Sequence, residues 1–272
     1  MSADQPRTNP IGVFDSGIGG LTVVHALTKR LPNENIVYFG DTARVPYGPK
    51  SPQVIREYTA QDTAFLTGNN VKFIVVACNT VSSVALDIVT KHSHVPVVGM
   101  IAPAAVAAVA ASRNKRIGII GTAATIASGA YEHAVHRADP SALLLAKACP
   151  LFVPLVEEGM LEHHATELIA REYLFPLKGH KIDTLILGCT HYPLLRKAIE
   201  KVFDDSITLI DTGEAAAVEV ERMLEERDLK NPSTMRGNIQ FFVSDETPKF
   251  AEIGERFLGQ TLGKVRTVRL AD

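Results

Sequence analysis

Short apolar runs recur along the chain with amphipathic stretches between them, and this alternation leaves few folds open. The runs are "IGVFD" (11–15), "NIVYFG" (35–40), "FIVVA" (73–77), "VPVVG" (95–99), "RIGIIG" (116–121), "TLILG" (184–188) and "ITLID" (207–211). They are continuous rather than alternating, the mark of strands buried on both faces in a parallel sheet. Helical patterns lie between them, such as "LTVVHALTKRL" (21–31), "PQVIREYTAQDTAFLTG" (52–68) and "GEAAAVEVERMLEER" (213–227). "IQFFVSD" (239–245) and "VRTVRL" (265–270) read as further strands near a sheet edge. The fold class is therefore α/β with mainly parallel sheets. At 272 residues the chain has room for one large domain or two smaller ones.

The most apolar stretch, "VVGMIAPAAVAAVAAS" (97–112), is Ala-rich, broken by Pro103, and shorter than the roughly 20 residues that span a bilayer, so it reads as a buried helix. A net charge of −2 and the absence of Trp speak against nucleic acid or an anionic membrane as partner. The opening "MSADQPRTNP" has no apolar core behind a basic start, so export is not expected. Three cysteines, an odd number, argue against a disulfide framework and for reduced thiols in a cytoplasm.

Two of those cysteines stand in nearly the same phrase, "FIVVACNT" (73–80) and "TLILGCTHYP" (184–193). "IGVFDSGIGG" (11–20) likewise resembles "IGIIGTAATI" (117–126); Cys78 follows Gly12 by 66 positions and Cys189 follows Gly118 by 71. This pattern fits the ordinary repetition of any α/β protein, and equally two homologous domains facing each other across a pseudo-twofold axis. In the second arrangement the two cysteines meet at the domain interface. Both would sit beyond a strand's carboxyl end, where helix N-termini bind ligands and favour a thiolate. Cysteine also often merely packs, which is the reading for Cys149 in "LAKACPLF".

"FDSGIGG" places Asp15 and Ser16 at the tip of the first strand, but the glycines miss the spacing of a dinucleotide fingerprint. "GDTARVPYG" (40–48) reads as a loop offering Tyr47 and Gly48, with Arg44 as its brace, and His191 lies two residues after Cys189. There is no C-x-x-C or H-x-x-x-H; "HSH" (92–94) falls in a turn, and His133, His136 and the pair at 163–164 read as ordinary helix residues. Neither a metal nor any other cofactor is expected. Two thiols far apart in sequence suit acid–base chemistry on opposite faces of one carbon. One removes a proton as thiolate while the other delivers one as thiol, and their titrations are coupled.

Five motifs in order, "FDSGIGGLTV", "GDTARVPYG", "ACNTVSS", "PLVEEG" and "LGCTHYPLL", resemble the glutamate racemase family of bacteria through nearly the whole chain. The resemblance implies two pseudo-symmetric α/β domains with the active site between them, here 1–98 with 212–272, and 99–211. It implies cofactor-independent interconversion of L-glutamate and D-glutamate, feeding peptidoglycan synthesis, in members that often form homodimers. Carried over by position, Cys78 works on the α-proton of the D-enantiomer and Cys189 on that of the L-enantiomer. Asp15 stands beside the first thiol, His191 beside the second, and Glu157 near the second, with Glu158 adjoining it. Ser16, Tyr47, Gly48, Asn79, Thr80, Thr190 and His191 match substrate contacts, joined by Asp15 and by Thr122 from the second half. Val81 stands where the family leads one to expect alanine. An aspartate or hydantoin racemase of the same fold would keep both cysteines. A binding protein that has lost turnover would not need them, and a thiol-redox enzyme would link them.

Overall fold

The structure is a computed structural model and describes residues 6–204, 206–246 and 250–270. Its strands are β1 (Ile11–Asp15), β2 (Ile36–Gly40), β3 (Phe73–Val76), β4 (Val97–Gly99), β5 (Arg116–Gly121), β6 (Leu143–Ala148), β7 (Thr184–Gly188), β8 (Thr208–Asp211), β9 (Ile239–Val243) and β10 (Val265–Thr267). They form two sheets, in the order β10-β9-β2-β1-β3-β4 and β6-β5-β7-β8. Every pairing among the described residues is parallel. Every residue of β1, β2, β3 and β7 is buried, which is why these strands are written as unbroken apolar runs.

The order β2-β1-β3-β4 in the first sheet matches β6-β5-β7-β8 in the second, so the repeat seen in sequence is a repeat of topology. In each half the strand order reverses at the first strand, and ligands bind in the crevice that such a reversal opens. Ser16 follows β1 and Cys78 closely follows β3; Thr122 follows β5 and Cys189 follows β7. After β8 the helix Thr212–Glu226, capped by Asp211 accepting from the Gly213 and Glu214 N–H groups, carries the chain back to β9 in the first sheet.

Two details depart from the sequence reading. β6 was not anticipated: "LLLAKA" lies at the edge of the second sheet and none of its residues is fully buried, so it lacks the continuous apolar signature of its neighbours. The helix Ile101–Ala111 is not broken by Pro103, which occupies the first turn, where the missing N–H would have had no partner within the helix.

The largest of three apolar clusters joins both halves, running from Ile11, Val13 and Val75 to Ile120, Leu185 and Leu187. Beside it, Lys72 is wholly buried, with Nζ 2.5 Å from Glu34 Oε2 and a further hydrogen bond to the Arg7 carbonyl. The other Glu34 oxygen accepts from Asn231 N–H at 2.7 Å. Removing one member of a buried pair leaves the other charge without compensation. Lys72→Met is therefore expected to lower stability by about 3 kcal/mol, read as a fall in the urea midpoint at unchanged slope; an unaltered midpoint would contradict it.

Candidate active site

Cys78 and Cys189 open onto one cleft of about 320 Å³ between the two sheets. Ser16, Tyr47, Gly48, Asn79, Thr80, Thr122, Glu157, Thr190 and His191 also line it, so the cleft gathers the site residues expected from sequence. Asp15 lies just behind, 1% exposed, close enough to influence Cys78. Two hollows of about 460 and 470 Å³ elsewhere on the surface contain no thiol. No cluster of three or more His, Cys, Asp or Glu side chains is disposed to hold a metal among the described residues. No helix there is long and apolar enough to cross a membrane.

The first thiol stands at the N-cap of the helix Asn79–Val84, its Sγ 3.5 Å from Ser16 Oγ. A helix N-terminus alone would make this thiol acidic, but the structure overturns that expectation. Burial, reinforced by the Asp15 carboxylate, pushes Cys78 up to about 12 and outweighs the hydrogen bonds from Ser16 and Val81 N–H. Asp15 is itself raised by burial, against the opposing pull of His191 and of main-chain N–H groups at Gly20, Gly17 and Ser16. Its Oδ2 accepts from Gly17 N–H at 3.1 Å, while Oδ1 is buried without a hydrogen-bond partner.

The second thiol is built differently. A 3-10 turn, Tyr192–Leu195, follows it rather than an α-helix, so the helix-end argument does not carry over to Cys189. A histidine takes that place: His191 Nδ1 lies 3.8 Å from Cys189 Sγ, and Nε2 lies 3.0 Å from Glu157 Oε1. Burial works against charge on His191, yet its hydrogen bonds to Cys189 and Glu157 prevail and lift it to about 10. Glu157, rather than its neighbour Glu158, is the carboxylate that faces the imidazole and lines the cleft. Phe257 packs edge-on against the His191 ring, centroids 5.0 Å apart.

Hydroxyls join the halves. Thr80 Oγ1 lies 2.9 Å from Thr122 Oγ1 and 3.3 Å from Thr125 Oγ1, and Thr22 Oγ1 lies 3.0 Å from the Thr190 carbonyl. Neither lysine nor arginine lines the cleft among the described residues. A bound carboxylate would therefore meet hydroxyls, an amide and main-chain N–H groups, with the His191 imidazole as the cationic side chain of the lining. Tyr47 lines the wall, but its hydroxyl is spent inside the first domain on Asp41 and Asp62, so it offers a ligand only its ring or main chain. Arg44 binds the same two carboxylates at 2.6 and 3.1 Å and so braces the loop.

Sequence reading missed Thr22, Thr125, Tyr131 and Phe257. Thr125 had a faint signal, three positions after Thr122 on one helix face; the others reach the site only through tertiary packing.

A cleft between two parallel α/β halves, with a thiol on each wall and a titratable neighbour beside each, defines a proton-transferring isomerase of carbon acids. The chain belongs to the Asp/Glu/Hydantoin racemase family, whose model matches residues 19–220. It is 49% identical over 270 residues to the glutamate racemase of Syntrophus aciditrophicus, covering 99% of this chain and 100% of that one. Its fold is similar to the crystal structure of glutamate racemase from Francisella tularensis in complex with D-glutamate, with a TM-score of 0.90, 41% identity, and 96% of this chain and 98% of that one covered. It is also similar to Escherichia coli glutamate racemase in complex with L-glutamate and the activator UDP-MurNAc-Ala, with a TM-score of 0.78, 26% identity, and 97% and 100% covered.

Two outcomes follow from this geometry. A Cβ at Gly19 would fall 2.2 Å from Thr190 Oγ1 and 2.6 Å from His191. Gly19→Ala is thus expected to displace both side chains and lower kcat/KM at least about tenfold with little change in Tm; wild-type kinetics would refute this. His191 has a folded-state value of about 10 against an ordinary 6.5. Its charge contributes stability fully below about pH 6.5, and that contribution is lost as pH rises through about 10. The Tm gap between wild type and His191→Gln should be widest below pH 6.5 and narrow toward pH 10; a gap independent of pH would contradict the assignment.

Proposed function

We propose that the chain interconverts L-glutamate and D-glutamate by moving the α-proton between Cys78 and Cys189, with no cofactor in the step. The reading rests above all on these two thiols opening onto one cleft, one beside a carboxylate and the other beside an imidazole held by Glu157. Glutamate is the substrate because near-full-length relatives at about half identity are glutamate racemases, and the product supplies peptidoglycan synthesis, the role this family carries.

With L-glutamate bound, the Cys189 thiolate takes the α-proton and becomes a thiol. The Cys78 thiol gives its proton to the opposite face and becomes a thiolate. No proton is gained or lost overall, and the D-enantiomer requires the starting states reversed. His191, charged at neutral pH, puts a cation 3.8 Å from Cys189 Sγ, while Asp15 opposes negative charge on Cys78. Ser16, Asn79, Thr80, Thr122 and Thr190, with the main chain of Tyr47 and Gly48, hold the substrate's carboxylates. Burial of the thiols gives these dipoles more weight than they would have in water.

The bodies proposed to close on substrate are 1–98 with 212–272, and 99–211; the reading is supported by the second sheet lying wholly within 99–211 and the first lying outside it except for Gly99 at the end of β4. A cytoplasmic setting suits three free thiols, and a homodimer is proposed on the family resemblance alone.

The deciding experiment places the protein in D2O with each enantiomer and follows optical rotation and α-deuterium. Both enantiomers should racemise with one deuterium incorporated. Cys78→Ser and Cys189→Ser should each lower turnover by about a thousandfold or more, since either variant lacks one of the two proton carriers. Full activity in either variant would sink the two-thiol mechanism. Untouched glutamate in a folded wild type would sink the substrate, and aspartate would be tried next.

A further inference from the structure

Asn79 follows Cys78 directly and lines the cleft, yet two of its four side-chain hydrogen-bonding positions are taken by Tyr131 and Thr212, neither of which lines it. Its Oδ1 accepts from the Tyr131 hydroxyl at 2.6 Å, and its Nδ2 donates to Thr212 Oγ1 at 3.3 Å. Thr212 Oγ1 in turn donates to the Leu187 carbonyl at 3.4 Å. Leu187 lies on β7, two residues before Cys189. Every donor in this chain of bonds therefore points the same way, from Tyr131 through Asn79 and Thr212 to the strand that carries the second thiol.

Polarity matters here because an amide is nearly symmetric in shape and can turn over at little steric cost. Turned one way, Asn79 offers the cleft its second Nδ2 proton; turned the other, it offers lone pairs. A substrate with two carboxylates needs the donor, and no lysine or arginine among the described residues lines the cleft to compensate for a mistake. Tyr131 is placed to decide between the two. It is 3% exposed, and it belongs to the helix Ala130–Ala138 of the second half, outside the cleft lining. Burial holds its phenol well above the ordinary range, so the hydroxyl keeps its proton to donate.

We infer that Tyr131 is a positioning residue for racemisation: its hydroxyl fixes the Asn79 amide with an N–H toward a substrate carboxylate, and so ties the Cys78 helix to the half that carries Cys189. This rests on the reading of Asn79 as a substrate contact.

The test is Tyr131→Phe, which removes one oxygen and keeps the ring in its packing. KM for both glutamate enantiomers should rise about tenfold, the scale of a hydrogen bond to a charged group, while kcat changes less than about threefold. Asn79→Ala should raise KM by at least as much. In the double variant, Tyr131→Phe should add nothing to Asn79→Ala, because its effect passes through that amide. Additive effects in the double variant would mean that Tyr131 acts only through packing, and would overturn the inference. Thr212→Val, which cuts the chain at its next bond, should raise KM in the same direction and provides the reading if Tyr131→Phe accumulates unfolded. A Tyr131→Phe enzyme with wild-type constants overturns this inference alone. A wild type that leaves glutamate untouched overturns the functional reading and this inference with it.

Discussion

Taking a thiol out of water costs the thiolate its hydration, and both reactive thiols here are nearly dry, 6% and 7% exposed. Much of the rest of the site can be understood as a response to that cost. A thiolate needs positive charge or donors close by, and the second half supplies an imidazole whose outer nitrogen is held by Glu157. The first half supplies a helix N-terminus and Ser16, but also Asp15, and the balance there goes against charge. Dryness also explains why hydroxyls and an amide line the walls. They can hold carboxylates without bringing in a second full charge that would itself need solvation.

The fold was legible where burial is complete. β1, β2, β3 and β7 are buried throughout, so their sequences carry no polar alternation to confuse the reading. β6 escaped because an edge strand pairs on one side only and can carry Lys147 and an exposed Leu143 without penalty. Pro103 misled for the opposite reason. Proline breaks a helix interior but is harmless in the first turn, and sequence alone does not fix where the first turn begins.

The site was legible to the extent that it lies at strand ends. Asp15, Ser16, Cys78, Asn79, Thr80, Thr122, Cys189, Thr190 and His191 all come within a few residues of β1, β3, β5 or β7, and parallel α/β topology brings those ends together. Glu157 was reached only by motif, since the helix Phe152–Glu157 that carries it follows β6, the strand the sequence reading missed. Tyr47 kept its place but not its expected chemistry: its hydroxyl faces Asp41 and Asp62, a partnership set by packing between the loop and the helix Pro52–Gly68. Tyr131 and Phe257 lie 52 and 66 positions from the groups they touch, Asn79 and His191, and no local pattern could announce them.

The asymmetry of the two half-sites raises a question that thermodynamics answers. Enantiomers have equal free energies in water, so kcat/KM must be the same in both directions whatever the protein does. Yet on the proposed assignment the enzyme form that receives D-glutamate needs a thiolate at Cys78, which burial and Asp15 make scarce. Scarcity and reactivity are linked through one free energy: whatever disfavours the Cys78 thiolate also makes it the stronger base, so a smaller population attacks the α-proton with more driving force. The two factors compensate, and the imbalance of neighbours surfaces in how kcat and KM divide for each enantiomer rather than in their ratio. An active site assembled from two similar halves therefore has no need to keep them chemically alike. Pseudo-symmetry places the sulfurs on opposite walls, and each half is then free to tune its own thiol.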